Sequence, residues 1–218
     1  MRRIRSNSFG SALIPIIVIN VIVFLVQVLA PSVGFDFTRT FALKQWDLFS
    51  APYTLITSMF MHGGGFHLFI NMFILYMFGG LLEQRIGTRR FVIIYFTAGI
   101  LAAVASNFIY PMAIGASGAV MGIVGVVIIL MPNLRVLFFF IVPMPLWIAG
   151  ILITLIELVG AFGTFGQVAN VAHLVGMATG LAYGYTLRDQ KKKFKRKFEG
   201  MTHLGSEDIE DYLKRGRL

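Results

Sequence analysis

The sequence predicts an all-α, polytopic membrane protein, a bundle of six transmembrane helices. Three observations carry that reading. Of 218 residues, 57% are hydrophobic and only 13% charged, with a mean hydropathy of +0.79, whereas a soluble domain has about a quarter of its residues charged. The charges fall in blocks separated by long stretches that have almost none. Six of those stretches, 12–30, 66–84, 91–110, 117–131, 145–161 and 168–187, approach the roughly 20 apolar residues of a spanning helix. The net charge of +9 sits on the flanks of these runs, which favours a membrane surface over nucleic acid as the partner. Cysteine is absent, so disulfides, a thiol nucleophile and a cysteine-ligated metal are excluded.

The first run follows Arg2, Arg3 and Arg5 and imitates a secretory leader. It is long for one and lacks a convincing small-residue cleavage site, so it reads as a retained helix. The outer loop 31–58 carries Phe35, Phe37, Phe41, Trp46 and Phe49, aromatic residues that suit a segment lying in the membrane interface. The fourth run stops after 15 residues, at Pro132. It rises about 22 Å, less than the hydrocarbon core of about 30 Å, so its start is expected below the membrane surface. The apolar run 136–144, which contains Pro143 and precedes Pro145, reads as a dipping loop or as the start of the fifth helix. In the tail, Lys191, Lys192, Lys193, Lys195, Arg196 and Lys197 interleave with Phe194 and Phe198, an anchor for anionic lipid. Beyond them Ser206, Glu207 and Asp208 form a cap and acidic first turn of a short surface helix.

Six spans place both ends on one side. That side carries seventeen Lys and Arg, against Arg39 and Lys44 on the other, so both termini are expected to be cytoplasmic. The organisation is then a basic N-terminus at 1–11, a membrane domain at 12–187 and a basic tail at 188–218.

Polar groups inside such runs are costly and draw attention to themselves. His62, His67 and Asn71 cluster at the start of the second span, and the i, i+4 spacing puts His67 and Asn71 on one helix face. They read either as hydrogen-bonding glue between helices or as donors to an anion. Gly115-Ala116-Ser117-Gly118 stands at the outer start of the short fourth span. Small residues there expose a hydroxyl beside the free amides of a helix N-terminus. His173 lies about five residues into the sixth span. Gly118, Gly122 and Gly125 on the fourth and Gly176, Gly180 and Gly184 on the sixth let two backbones approach closely. Gly118 adjoins Ser117 and Gly176 follows His173 by one turn, so that crossing is expected to bring serine and histidine together. A serine hydroxyl needs such a base to become a nucleophile. His67 and Asn71 then remain free to bond the oxyanion of a tetrahedral intermediate. Glu157 lies near the outer end of the fifth span, with no obvious place as a third member, and a dyad is the simpler reading.

Together, His62-x4-His67-x3-Asn71, Gly-Ala-Ser-Gly at 115–118 and Ala-His-x2-Gly at 172–176 resemble the rhomboid intramembrane serine proteases over roughly residues 10–187. The resemblance implies a hydrolase cleaving peptide bonds in or near transmembrane segments of substrate proteins in a lipid bilayer. It implies Ser117 as nucleophile, His173 as general base, and an oxyanion site made by His67, Asn71 and the Ser117 amide, with no metal or cofactor. His62, Gly115, Gly118, Met121 and Gly176 would be structural neighbours of the site. Residues 145–167 would govern substrate access. Two departures stand out. Trp46-Asp47 replaces a tryptophan–arginine pair in the first outer loop, and Met121 replaces an aromatic residue four after the nucleophile. Glu83 and Arg85 look like a structural pair of the family. By the same analogy, the compact core suits a prokaryotic cytoplasmic membrane. Two other functions compete: a rhomboid-fold escort that binds membrane proteins without cutting them, and a small transporter with a histidine proton path.

Overall fold

A computed structural model describes residues 11–139, 141–162 and 169–197, with the side chains from 190 onward not described. The basic N-terminus, the loop beyond residue 162 and the helix expected after Ser206 lie outside the described residues.

Helix α1, Leu13–Leu29, runs into a 3-10 turn at Ala30–Val33. A residue seventy positions away caps its start. Glu83 Oε2 accepts from Ser11 Oγ at 2.6 Å and from the Leu13 amide at 3.3 Å, while Oε1 accepts from the Ala12 amide at 2.7 Å. A carboxylate there satisfies free amides and complements the helix dipole. The sequence reading paired Glu83 with Arg85; the structure gives this carboxylate to α1.

The loop 31–58 carries regular structure. Its short helix α2, Phe37–Phe41, is capped by Asp36, which accepts from the Arg39 amide at 2.8 Å. Phe35, Phe37, Phe41 and Tyr53 pack edge to face. Strand β1, Leu43–Lys44, pairs antiparallel with β2, Met112–Ala113, and so ties the loop to the segment just before Ser117. Trp46 packs edge-on to Phe108 with centroids 5.3 Å apart, and its amide bonds Asn107 O. That contact anchors the loop, while Asp47 accepts from Ser50 Oγ at 2.6 Å.

After α3, Thr54–Thr57, and a 3-10 turn at Ser58–Phe60, a continuous rod forms from α4, Gly65–Ile74, a π segment, Leu75–Gly79, and α5, Gly80–Ile86. Helix α6 covers Thr88–Ile109 and α7 covers Ser117–Leu130. The run 136–144 folds into a hairpin of β3, Arg135–Phe138, and β4, Val142–Pro145, instead of starting the next helix. Pro143 and Pro145 bar a helix there, and the β-branched and aromatic residues before them, such as Val136, Phe138 and Val142, suit strands. Helix α8 is Leu146–Phe162 and α9 is Asn170–Lys197.

The protein is therefore mostly helical and embedded in membrane. Leu13–Val33, Gly65–Ile86 and Thr88–Ile109 are long and apolar enough to cross a bilayer, while Ser117–Leu130 and Leu146–Phe162 are apolar but shorter. Helix α7 is apolar all round, as a helix must be when other helices surround it. It lies against α6 and α9, with Gly118, Gly122, Ile123 and Val126 among its buried residues. A methyl group added at Gly176 would collide with the Gly118 carbonyl, and one at Gly180 with the Gly122 carbonyl. On the other face, a methyl at Gly118 would strike Ala102. Backbone packed on backbone fixes α7 and α9 at one separation and one register.

Candidate active site

Ser117 is the first residue of α7. The preceding turn is formed by Gly115 at φ +131°, whose amide donates to Ser58 O at 2.9 Å. That φ lies where residues with a Cβ are strained. The first amides of α7 have no partner within the helix and cluster beside the Ser117 hydroxyl. His173 lies in the first turn of α9, and the Tyr110 hydroxyl accepts from the nearby Val171 amide at 2.9 Å. The glycine seam brings the two together: His173 Nε2 lies 2.7 Å from Ser117 Oγ.

The sequence reading left Glu157 unplaced and favoured two residues. In the structure Glu157 Oε1 lies 2.9 Å from His173 Nδ1, and both side chains are about nine-tenths buried. Asn170 Nδ2 donates to Glu157 Oε2 at 2.7 Å. An ionised carboxylate only accepts, so Nδ1 carries its proton and Nε2 is left to accept from the serine hydroxyl. Serine, imidazole and carboxylate thus form a line across α7, α9 and α8. One signal in the sequence points to this: Glu157 is the only Asp or Glu between Glu83 and Asp189, set in an apolar run where a lone charge is costly.

His67 stands on the other side of the serine turn. Its Nδ1 accepts from the Gly63 amide at 3.3 Å, so Nε2 is the nitrogen left to donate. An added methyl at Gly115 would press on this ring, 3.0 Å from Cε1 and 3.3 Å from Nε2, and would come 3.6 Å from Ser117 Oγ. Gly115 therefore keeps the ring and the hydroxyl close. Asn71, one turn on, spends one amide proton on the His67 carbonyl at 2.8 Å and keeps the other. The backbone of His62, expected as a structural neighbour of the site, is clasped to α1. Gln27 Nε2 donates to His62 O at 3.0 Å, and Gln27 Oε1 accepts from the His62 amide at 3.1 Å. The His62 ring is buried edge-on to His67, centroids 5.2 Å apart. Burial first, and His67 second, push its pKa down to about 4, so it is neutral near pH 7; the Phe60 backbone offsets only part of this. Met121 is half-buried one turn beyond Ser117 on α7.

A cavity of about 30 Å³ opens beside Ser117, lined among others by Ser58, Gly99, Ala102, Gly115 and Ala172. It is large enough for a water molecule or a very small side chain. A hydroxyl on an imidazole, with free helix amides and a histidine donor alongside, is equipped for acyl transfer. No cluster among the described residues has the donor set of a metal site.

The chain matches the Rhomboid domain over residues 50–190. It is 28% identical over 167 residues to "Rhomboid protein 1, mitochondrial" of Saccharomyces cerevisiae, an alignment covering 72% of this chain and 48% of that protein. It is 30% identical over 164 residues to "RHOMBOID-like protein 6, mitochondrial" of Arabidopsis thaliana, covering 70% of this chain and 49% of that one. It is 34% identical over 106 residues to "Rhomboid protease GluP" of Bacillus subtilis, covering 47% and 21% respectively. The chain spans about half the length of the first two of these relatives.

Proposed function

The chain belongs to the rhomboid family, and from that premise we propose that it is an intramembrane serine endopeptidase, with Ser117 as nucleophile and His173 as base. The observation that carries the reading is the 2.7 Å approach of His173 Nε2 to Ser117 Oγ at the free N-terminus of a short, buried helix. Ser117 Oγ attacks the scissile carbonyl as Nε2 takes its proton, and the carbonyl π electrons move onto oxygen. The resulting oxyanion is bonded by the Ser117 amide, His67 Nε2 and the free Asn71 amide proton; each preorganised donor of this kind is worth about 10²–10³ in rate. Imidazolium then protonates the leaving nitrogen as the C–N bond breaks. Water attacks the acyl ester, giving its proton to His173, which returns it to Ser117 Oγ as the ester bond breaks.

The membrane domain in this reading is 12–187 with six spans and cytoplasmic ends, flanked by basic segments at 1–11 and 188–218. Helix α7 has 14 residues and rises about 21 Å, short of the hydrocarbon core, which supports a recessed site that water reaches from outside. The substrate is a transmembrane segment that unwinds locally near the scissile bond. The helices able to cross a bilayer and the rhomboid domain support a membrane location in general; a prokaryotic cytoplasmic membrane rests on the compact core alone, and two of the relatives are named as mitochondrial. The test is cleavage of a labelled single-span protein by purified wild type, Ser117→Ala and His173→Ala in detergent. The reading expects only wild type to cut. Binding without cleavage by wild type sinks it and favours the escort function.

A further inference from the structure

Helix α8 is held very unevenly. Its buried residues, Leu146, Ala149 and Gly150, all lie in the first half, and a methyl at Gly150 would strike Ile128 of α7. In the second half Leu155, Ile156, Leu158 and Val159 are exposed. What ties that half to the bundle is polar and local. Glu157 reaches His173 at 2.9 Å and accepts from Asn170 at 2.7 Å. Gly160, one turn on, leaves room for the same asparagine, since any Cβ there would overlap its amide. Ser117 and His173 are joined by a different device, the glycine seam between α7 and α9. The outer half of α8 can therefore leave without parting serine from histidine, but it takes the carboxylate with it.

We propose that Glu157 is a positioning residue for His173, seated by Asn170 and Gly160, so that the nucleophile is fully activated only while the outer half of α8 is docked on α9. This rests on the assignment of Ser117 and His173 above. The carboxylate holds the Nδ1–H tautomer and orients the ring. It also faces the positive charge that forms when Nε2 takes the serine proton, and such charge-assisted bonds are about twice as strong as neutral ones. A carboxylate on a helix that can move makes reactivity depend on where that helix sits.

The experiment uses the full chain in detergent, with two readouts. A small fluorophosphonate probe reports the reactivity of Ser117 without a substrate helix having to enter. A labelled single-span substrate supplies kcat and KM. Glu157→Gln keeps the size and removes the charge. It is expected to slow probe labelling and lower kcat at least tenfold, with KM within twofold of wild type. Glu157→Asp is expected to recover part of the rate, and Glu157→Gln with Asn170→Ala to be no slower than Glu157→Gln alone. Gly160→Val, which wedges α8 away from Asn170, is expected to reproduce the labelling loss. A purely structural tie would leave labelling unchanged in all folded variants, and labelling by Glu157→Gln within twofold of wild type overturns the proposal. A loss confined to KM overturns it too. Should Glu157→Gln fail to fold, Asn170→Ala decides: labelling slowed at least threefold upholds the role, and an unchanged rate overturns it. Absence of wild-type label on Ser117 defeats the underlying site assignment, a failure distinct from all of these.

Discussion

Gly176→Ala separates the geometry of the site from the stability of the fold. The added methyl would meet the Gly118 carbonyl oxygen far inside contact distance, whereas carbon and oxygen normally rest about 3.3–3.6 Å apart. The obstacle is backbone and has no rotamer to change, so α7 and α9 must part locally by roughly 1 Å. Overpacking of this kind costs about 1–3 kcal/mol, and the better helix propensity of alanine returns about 1 kcal/mol. The net loss of stability is therefore small. The catalytic cost is not, because the 2.7 Å Ser117–His173 contact lies one turn away. Lengthened by about 1 Å it ceases to be a hydrogen bond, and misplacement of that size costs about 10²-fold in rate. The assay compares fluorophosphonate labelling with thermal unfolding in detergent, with Gly80→Ala as control. A methyl at Gly80 would meet Leu13 at 3.5 Å, an ordinary contact, so that variant should match wild type in rate and gain a few tenths of a kcal/mol or more. Gly176→Ala retaining more than half the wild-type labelling rate refutes the idea that this seam sets the serine–histidine distance.

Gly115→Ala strains a backbone at φ +131° and presses on His67; cleavage should fall about tenfold or more from one displaced oxyanion donor, with thermal stability down by about 1–3 kcal/mol. Glu83→Ala leaves the Ala12 and Leu13 amides uncapped and should lower stability by about 1–2 kcal/mol, read as an earlier unfolding midpoint with the rate per folded molecule unchanged. His62 has a folded-state pKa pushed down to about 4 from 6.5, so the unfolded chain binds its proton first. Stability from this residue is complete above pH 6.5 and is lost as pH falls toward 4, by about 2 kcal/mol at pH 5. His62→Phe should flatten that acid slope between pH 6.5 and 4, and an unaltered slope would assign it to other groups.

Much of this arrangement was legible in the sequence because each signal was local. The apolar runs matched helix bounds within a few residues, since hydropathy reports directly on lipid contact, except at the end of α9, which runs on through the basic residues to Lys197, ten beyond the expected end at 187. The glycine ladders foretold the crossing of α7 and α9 because only small residues permit it, and with it the approach of His173 to Ser117. The features that escaped all depend on long-range contacts between single residues. Glu157, Asn170 and Gly160 meet only once α8 and α9 are docked, and Gln27 reaches His62 from thirty-five positions away. Glu83 caps α1 from about seventy. The hairpin at 135–145 was hidden for another reason: an apolar run so short fits strand, loop or helix start equally well by periodicity.

The most direct test of the central claim maps the reactive atom. Purified protein is treated with a fluorophosphonate, digested, and its adduct located by mass spectrometry in wild type and in His173→Ala. The account predicts a single adduct on Ser117 in wild type, formed at least a hundredfold more slowly without the imidazole. An adduct on another serine, or labelling of Ser117 that is indifferent to His173, would contradict it.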